Sequence, residues 1–383
     1  MDQFVNTNVK NIKISGIRQF FNYVQDYPNS ISLTIGQPDF PTPKHVKEAA
    51  IKAINEDYTS YTNNAGYIEL RRAAANFLNV KYGIQYNPNT EIIVTVGATE
   101  GIDIVFRTLL TNQDEVLLPG PIYPGYEPLI LLNNAKPVYM DTRNTNFKVT
   151  ADLIKKHLTE KTRLIVLPYP SNPTGVSLTG EELQEIANVI KGKNIFVLAD
   201  EIYSELVYGQ RHVSIAKFLP KQTIIINGLS KSHSMTGWRI GFVFAPEEIC
   251  QHMLKVHQYN VTCASSISQM AAIEALTNGI DDALEMRAEY LKRRDFVYEK
   301  LCKLGFETVL PDGAFYFFVK IPDVFQLDSF QFCLKLVKDY GVAVVPGSSF
   351  SNFGEGYFRL SYATSFNRLE EGLNRLGKIM QEV

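Results

Sequence analysis

The chain has 383 residues, of which 45% are hydrophobic and 20% are charged, and these values are typical of a globular protein with a large core. The formal net charge of −2 argues against a basic surface for nucleic acid or for anionic membranes. Four widely spaced cysteines without a CxxC pair, and six scattered histidines without an HExxH motif, predict neither a disulfide framework nor a metal site.

The first 30 residues are polar, and a weakly periodic stretch at residues 12–27 predicts an N-terminal arm with a short helix. The N-terminus has no apolar run of the kind found in signal peptides. No apolar run in the chain approaches the ~18 residues that span a bilayer. We therefore expect a cytoplasmic protein that does not enter a membrane.

The next segments predict a strand, a turn, a helix and a loop. Residues 31–35 alternate in polarity as a strand does, and Gly36 begins a turn directly after it. A helix is predicted from Pro43 to Asn55. The tyrosine-rich segment that follows, which includes Tyr61, predicts an ordinary exposed loop when its residues are taken by themselves.

A candidate anion seat follows the predicted strand at residues 92–96. Gly97, Ala98 and Thr99 lie between this strand and a helix whose apolar residues recur at helical spacing. Free backbone N–H groups and the positive end of a helix both favour an anion at such a place. A glycine turn before a helix is common, so the prediction needs a cation from elsewhere, and Arg239 is the candidate.

Two further strands run into rigid loops that present a polar or aromatic side chain. The strand at residues 115–118 is followed by a loop of prolines and glycines that carries Tyr123. An aromatic ring on such a loop could lie over a planar ligand, with a gain of roughly 1 kcal/mol. The strand at residues 163–167 is followed by a predicted turn that contains Asn172, with Pro170 two residues before it and Pro173 directly after it.

Asp200 and Tyr203 follow the wholly apolar strand at residues 195–199. A helix capped by Thr179 and Glu182 precedes this strand. Asp200 and Glu201 are two adjacent acids that could bind a metal ion, but no third oxygen ligand or histidine lies nearby in sequence. Asp200 is therefore better explained as the partner of a buried cation than as a metal ligand.

Lys231 and Arg239 belong to the stretch TIIINGLSKSHSMTGWRIG, at residues 223–241. Most lysines lie on the surface, but the neighbouring glycines and serines leave room for a ligand, and Arg239 offers a fork for an anion. A partly desolvated lysine beside a cation loses its proton more easily, as an amine that attacks a carbonyl must. Since the strands of an open α/β sheet bring their carboxyl ends together, we expect these side chains to converge.

The C-terminal part predicts a smaller α+β unit. A long helix is expected at residues 281–303, and it marks the change of domain. Strands are then predicted at residues 307–309, 314–321 and 343–345, with a helix at residues 329–338. On a final strand Arg359 alternates with apolar residues, and an inward-facing arginine there would need an anionic partner.

The stretch around Lys231 resembles the lysine-attachment signature of the class I pyridoxal-phosphate aminotransferases, and the similarity runs from residue 31 to residue 363. The resemblance implies fold type I: a large α/β domain at residues 43–280, with a mostly parallel mixed sheet between helices, and a small α+β domain from residues 1–42 and 281–383. It also implies a homodimer with shared active sites and a ping-pong reaction that moves an amino group from an L-amino acid to a 2-oxo acid.

The resemblance further implies that pyridoxal 5′-phosphate is bound by Lys231, Ala98, Thr99, Tyr123, Asn172, Asp200, Tyr203, Arg239 and Tyr61. In that family Lys231 would attach to the cofactor and then carry the substrate proton. Arg239 would grip the phosphate, Tyr123 would stack on the ring, and Asp200 would keep the ring nitrogen protonated.

The remaining roles concern the substrate and the neighbouring subunit. By resemblance, Asn172 and Tyr203 would hydrogen-bond the phenolic oxygen of the cofactor, Gly36 and Arg359 would join Asn172 at the substrate carboxylate, and Tyr61 would reach the neighbour's phosphate. Many relatives have a serine three residues before the lysine. Here Gly228 occupies that position, and Ser230 is the candidate to replace the missing hydroxyl.

Four runs are most similar to the N-acetyl-diaminopimelate aminotransferases of Gram-positive lysine biosynthesis: SISLTIGQPDF, LPYPSNPTGV, NGLSKSHSMTGWRIGF and KVHQYNVTCASSISQ. This similarity implies N-acetyl-LL-2,6-diaminopimelate as substrate and 2-oxoglutarate as acceptor. The alternatives are an aspartate or aromatic aminotransferase and, after these, a C–S β-lyase with the same cofactor. A transcriptional regulator is a weaker alternative, because the family match leaves no room before residue 31 for a DNA-binding domain.

Overall fold

The computed structural model describes residues 1–382, and it has the predicted α/β architecture. The described residues form fourteen α-helices: α1 (Thr7–Asn11), α2 (Gly16–Val24), α3 (Lys44–Asn55), α4 (Ile68–Tyr82), α5 (Gly97–Leu109), α6 (Tyr126–Leu132), α7 (Ala151–His157), α8 (Gly180–Ile190), α9 (Leu229–Ser232), α10 (Glu247–Val261), α11 (Ser266–Thr277), α12 (Ala283–Lys303), α13 (Ser329–Tyr340) and α14 (Phe366–Ile379). They also form twelve strands: β1 (Ile31–Ser32), β2 (Ile92–Thr95), β3 (Glu115–Gly120), β4 (Lys136–Asp141), β5 (Thr162–Leu167), β6 (Phe196–Asp200), β7 (Thr223–Gly228), β8 (Gly241–Phe244), β9 (Tyr316–Lys320), β10 (Val342–Ala343), β11 (Val345–Pro346) and β12 (Tyr357–Ser361).

The main sheet has seven strands in the order β2-β8-β7-β6-β5-β3-β4. Strands β7, β6, β5, β3 and β4 are parallel, whereas β8 is antiparallel to both of its neighbours, β2 and β7. Strand β2 therefore points the same way as the parallel strands. Six of the seven strands present their carboxyl ends at one edge, which confirms the predicted mixed and mostly parallel sheet.

Alternate residues of the central strands point into two separate cores, one on each face of the sheet. On β5, Ile165 and Leu167 belong to one buried cluster, while Leu164 and Val166 belong to the other. Side chains of a strand alternate between faces, so a strand that is covered on both faces must be apolar throughout. This is why the predicted central strands contain no polar alternation.

The segments nearest the two termini pack together. Strand β1 pairs in parallel with β10, and β9, β12 and β11 form an antiparallel sheet of three strands. A third buried cluster joins Phe20 and Leu33 to residues of α12, α13, β9 and α14. The strand predicted at residues 307–309 is reduced to a single bridge between Thr308 and Val319.

Most helix ends agree with the sequence. Helix α8 begins with the predicted capping box, in which the Thr179 side chain accepts from the Glu182 N–H and the Glu182 side chain accepts from the Thr179 N–H.

Within residues 1–382 no helix is long and apolar enough to cross a membrane.

Candidate active site

The carboxyl ends of the parallel strands open into a cavity of about 810 Å³. Ten residues predicted from the sequence line it: Gly36, Ala98, Thr99, Tyr123, Asn172, Asp200, Tyr203, Lys231, Arg239 and Arg359. These residues come from segments far apart in the chain, and the shared edge of the sheet brings them together.

Lys231 lies in the one-turn helix α9, directly after β7. Its Nζ donates a hydrogen bond of 2.6 Å to the Gly36 carbonyl oxygen and lies 5.6 Å from the centre of the Tyr203 ring. Burial lowers the pKa of Lys231 to about 8, and the positive charges of Arg359 and Arg239 add to this effect. The neutral, nucleophilic amine is therefore a minor but substantial form at pH 7 and becomes the major form above about pH 8.

Asp200 is the last residue of β6, and it is buried. The Tyr126 hydroxyl donates to Asp200 Oδ2 at 2.6 Å, and the Ile202 N–H donates to Oδ1 at 3.2 Å. Burial raises the pKa of Asp200 to about 6, although these two hydrogen bonds oppose the rise. A cation placed against this carboxylate would be held by charge pairing in a water-poor site.

The structure places Arg239 beside Gly97 at the start of α5, the arrangement that the predicted anion seat requires. Gly97 has a left-handed φ of +74°, and a Cβ on it would lie 2.5 Å from Arg239 Nη2. A Cβ on Gly241 would lie 2.6 Å from the Gly97 carbonyl carbon, so β8 also touches this turn closely. The two glycines therefore allow the Arg239 guanidinium to approach the free N–H groups of α5, where an anion is favoured.

Tyr123 is held as a flat surface on its loop. Its ring folds over Gly125, where a Cβ would lie 2.3 Å from Tyr123 Cε1, and it packs edge-on against Tyr126 with ring centres 5.7 Å apart. With these two neighbours beside it, the ring lines the cavity and offers an aromatic surface for a planar ligand.

Arg359 is a buried cation without a carboxylate partner among residues 1–382. Its Nη1 donates to Asn172 Oδ1 at 2.8 Å and its Nη2 to the Thr34 carbonyl at 2.7 Å, while its Nε has no partner. The guanidinium lies 4.4 Å from the centre of the Tyr316 ring. Burial lowers the pKa of Arg359. An unmatched buried charge of this kind needs an anionic ligand.

Several residues of the cavity were missed by the sequence reasoning. Tyr316 underlies Arg359 and shares a 2.8 Å hydrogen bond with the hydroxyl of Tyr203, and Tyr126 holds Asp200. Ile17, Arg18 and Phe21 of α2 also line the cavity. Tyr126 lies three residues after Tyr123, and that proximity was a usable signal. Nothing local marks the others, because their partners are distant in sequence.

Ser230, Gly228 and Tyr61 take different positions relative to the cavity. Ser230 lines the cavity, whereas Gly228 does not, and a Cβ on Gly228 would lie 3.0 Å from the Ile240 carbonyl oxygen. Glycine at position 228 is thus explained by the close pairing of β7 with β8. Tyr61 is 85% exposed and lies outside the cavity lining, so its role in a neighbouring subunit stays a prediction.

The cavity fits pyridoxal 5′-phosphate on four counts. The turn at Gly97 with Arg239 suits a phosphate, the Tyr123 ring suits an aromatic face, Asp200 suits a protonated ring nitrogen, and Lys231 suits a carbonyl carbon. Within residues 1–382, no cluster of three or more histidine, cysteine or acidic side chains is placed to hold a metal ion.

Comparison with known proteins finds aminotransferases that match almost the whole chain. The family model described as aminotransferase class I and II matches residues 28–376. The chain is 60% identical to a probable N-acetyl-LL-diaminopimelate aminotransferase of Bacillus subtilis, over 98% of this chain and 95% of that protein. It is 41% identical to aromatic-amino-acid aminotransferase 2 of Thermococcus litoralis, over 96% of each. The solved aspartate aminotransferase of Thermus thermophilus with maleate superposes with a TM-score of 0.93 at 33% identity, covering 98% of this chain and 99% of that chain.

Proposed function

The chain belongs to the class I and II aminotransferase family, and we propose that this pyridoxal-phosphate enzyme transfers the amino group of N-acetyl-LL-2,6-diaminopimelate to 2-oxoglutarate by a ping-pong mechanism. The observation that supports the reaction type is the convergence of Lys231, Asp200, Arg239 and Arg359 on one cavity. The choice of substrate rests on the relative that is 60% identical over almost the full chain.

Arg359 binds the α-carboxylate of the amino acid in this proposal. It is already aimed into the cavity by Asn172 and Thr34, and its buried charge has no other anionic partner in residues 1–382. A carboxylate can accept two parallel N–H bonds from a guanidinium, which sets both its position and its orientation. The substrate Cα is thereby held in a fixed place.

Lys231 moves the proton at the substrate Cα. Its amine has a pKa of about 8, so roughly a tenth of it is neutral at pH 7 and can accept a proton, far more than for a lysine with the ordinary value of 10.5. When bound, pyridoxal 5′-phosphate draws the electron pair left at Cα into its pyridine ring. This requires a protonated ring nitrogen. The Asp200 carboxylate, which accepts a hydrogen bond from Tyr126, would pair with that nitrogen and keep it protonated.

The remaining site residues orient the ligands. We propose that Arg239 with the N–H groups of Ala98 and Thr99 holds the phosphate, and that Tyr123 lies against the ring. Tyr203 and Asn172 supply hydrogen bonds to the phenolic oxygen, and the Gly36 backbone closes the site beside Lys231.

We also propose a homodimer in which Tyr61 completes the phosphate seat of the neighbouring subunit, since its exposed side chain has no place in its own cavity. The division into a large domain at residues 43–280 and a small domain from residues 1–42 and 281–383 is likewise proposed. It is supported by the buried cluster that joins the N-terminal segment to α12, β9, α13 and α14. Val383 lies outside the described residues.

A half-reaction screen tests the function. Holoenzyme is incubated with one amino acid at a time, without acceptor, and the released 2-oxo acid is quantified by mass spectrometry against the number of active sites. We expect N-acetyl-LL-2,6-diaminopimelate and glutamate to give one product per site, and Lys231→Ala to give none. Preference for aspartate or phenylalanine would select the alternative aminotransferases, and pyruvate released from cystathionine would select a C–S lyase.

A further inference from the structure

The cavity contains one more cation than the proposed reaction uses. Its lining includes four cationic side chains, Arg18, Lys231, Arg239 and Arg359, but a single carboxylate, Asp200. In the proposed function Lys231 serves the carbonyl and the Cα, Arg239 serves the phosphate, and Arg359 serves the α-carboxylate. No group of the cofactor or substrate is yet assigned to Arg18.

Helix α2 holds Arg18 at the cavity by two close contacts. At its start, a Cβ on Gly16 would lie 2.8 Å from Ser349 Oγ, so the helix lies directly on that segment. Further along, Phe20 is 1% exposed and packs edge-on against Phe330, with ring centres 5.9 Å apart. Because Phe20 faces inward, the adjoining side of the helix presents Ile17, Arg18 and Phe21 to the cavity.

Arg18 is available for an anion. Its guanidinium forms no ion pair within residues 1–382, and its side chain is exposed. Arg18 and Tyr123 line the same cavity. Burial and the Asp200 carboxylate raise the pKa of Tyr123, and the positive charges of Arg239 and Arg18 oppose that rise. The Arg359 guanidinium instead lies over the Tyr316 ring.

We propose that Arg18 binds the distal carboxylate of a dicarboxylic substrate and so determines the preference of the enzyme for substrates with an acid group at each end. This inference rests on the proposed function, in which both N-acetyl-LL-2,6-diaminopimelate and 2-oxoglutarate are dicarboxylic. Arg359 binds one end and Arg18 the other. The apolar side chains of Ile17 and Phe21 cover the carbon chain between them.

An exposed arginine suits two substrates of different length. Its long, flexible stem lets the guanidinium follow a carboxylate on a five-carbon or a seven-carbon skeleton, and its planar fork still accepts that carboxylate with two hydrogen bonds. A buried arginine held like Arg359 could not adjust in this way.

The test compares matched acids that bind the wild-type holoenzyme and its variants without being converted. Glutarate and pimelate have a carboxylate at each end, whereas pentanoate and heptanoate have the same chain lengths and one carboxylate. Dissociation constants are measured by calorimetry for wild type, Arg18→Gln, Arg18→Lys and Lys13→Gln. Lys13→Gln is the matched control, because it removes one positive charge from the same exposed arm but does not line the cavity.

We expect Arg18→Gln to weaken glutarate and pimelate about 10- to 100-fold, the loss that follows removal of a hydrogen bond to a charged group. Pentanoate and heptanoate should change by no more than about twofold, because they lack the carboxylate that Arg18 would bind. All four acids should change by no more than about twofold with Lys13→Gln, because Lys13 does not line the cavity. Arg18→Lys should lie between Arg18→Gln and wild type, since it keeps the charge and loses the fork.

Equal weakening of both kinds of acid, or no selective loss for the dicarboxylates, would overturn the role of Arg18. Failure of the proposed substrate has a different signature. Wild type would then not convert N-acetyl-LL-2,6-diaminopimelate, while the selective dicarboxylate loss in Arg18→Gln could still be measured.

Discussion

Gly97 controls how closely Arg239 approaches the start of α5, and its replacement by alanine tests the proposed phosphate seat. The left-handed φ of +74° would cost an alanine about 1–2 kcal/mol. The added Cβ would lie 2.5 Å from Arg239 Nη2, which is the free end of a flexible side chain. We expect the guanidinium to swing away instead of the backbone moving apart.

The displaced guanidinium would no longer hold the phosphate. Loss of a hydrogen bond between charged groups costs about 1.5–3 kcal/mol, so the Kd for pyridoxal 5′-phosphate should rise about 10- to 100-fold in Gly97→Ala. The assay is a titration of cofactor-free protein, followed by the change in cofactor absorbance. The Tm of the cofactor-free protein reports the backbone cost separately.

Gly83→Ala is the matched control. Gly83 ends α4 with a φ of +70°, and nothing lies within 4 Å of an added Cβ, so this variant has the same backbone cost without the contact to Arg239. Its Kd for the cofactor should equal that of wild type. Arg239→Gln should abolish most of the further effect of Gly97→Ala, because both changes remove the same contact. Equal Kd values for Gly97→Ala and Gly83→Ala, or strictly additive losses in the double variant, would refute the phosphate seat.

Three further predictions concern other parts of the site. Arg359→Ala should weaken α-carboxylate binding by roughly 2–5 kcal/mol, seen as a fall in kcat/KM with the best amino donor, while the Kd for the cofactor stays constant. The raised pKa of Asp200, about 6 against an ordinary 3.8, means that the unfolded chain releases this proton first as pH rises. The contribution of Asp200 to the stability of the cofactor-free protein should therefore fall between about pH 4 and 6, so the free energy of unfolding of wild type should decrease relative to that of Asp200→Asn over this range; urea-unfolding profiles that shift equally with pH in the two proteins would contradict the assignment. Tyr61→Glu and Lys231→Ala should each be inactive, but equal amounts refolded together should recover about a quarter of wild-type activity, because half of the dimers are mixed and have one intact site. Confirmed heterodimers without activity would show that Tyr61 does not act across the interface.

The strands and their polar ends were predictable because they depend on local patterns. Apolar runs followed by glycine, proline or acidic residues located the ends of β2, β3, β5, β6 and β7, and the parallel sheet rule then gathered Tyr123, Asp200 and Lys231 at one edge. The capping box at Thr179 is equally local, since both of its hydrogen bonds lie within three residues. The predicted strand at residues 31–35 shortened to Ile31–Ser32, because its partner β10 has only two residues.

The sequence by itself determined where the strands end and that Lys231 and Arg239 are candidates for one site, because residues close in the chain define these features. Only the tertiary structure decided that Arg359 is aimed by Thr34, 325 residues away, and that Tyr316 lies beneath it. It also decided that Tyr126 holds Asp200 and that α2 brings Arg18 to the cavity. These contacts join segments that no spacing or periodicity relates, and their geometry exists only once the sheet and the terminal segments have packed together.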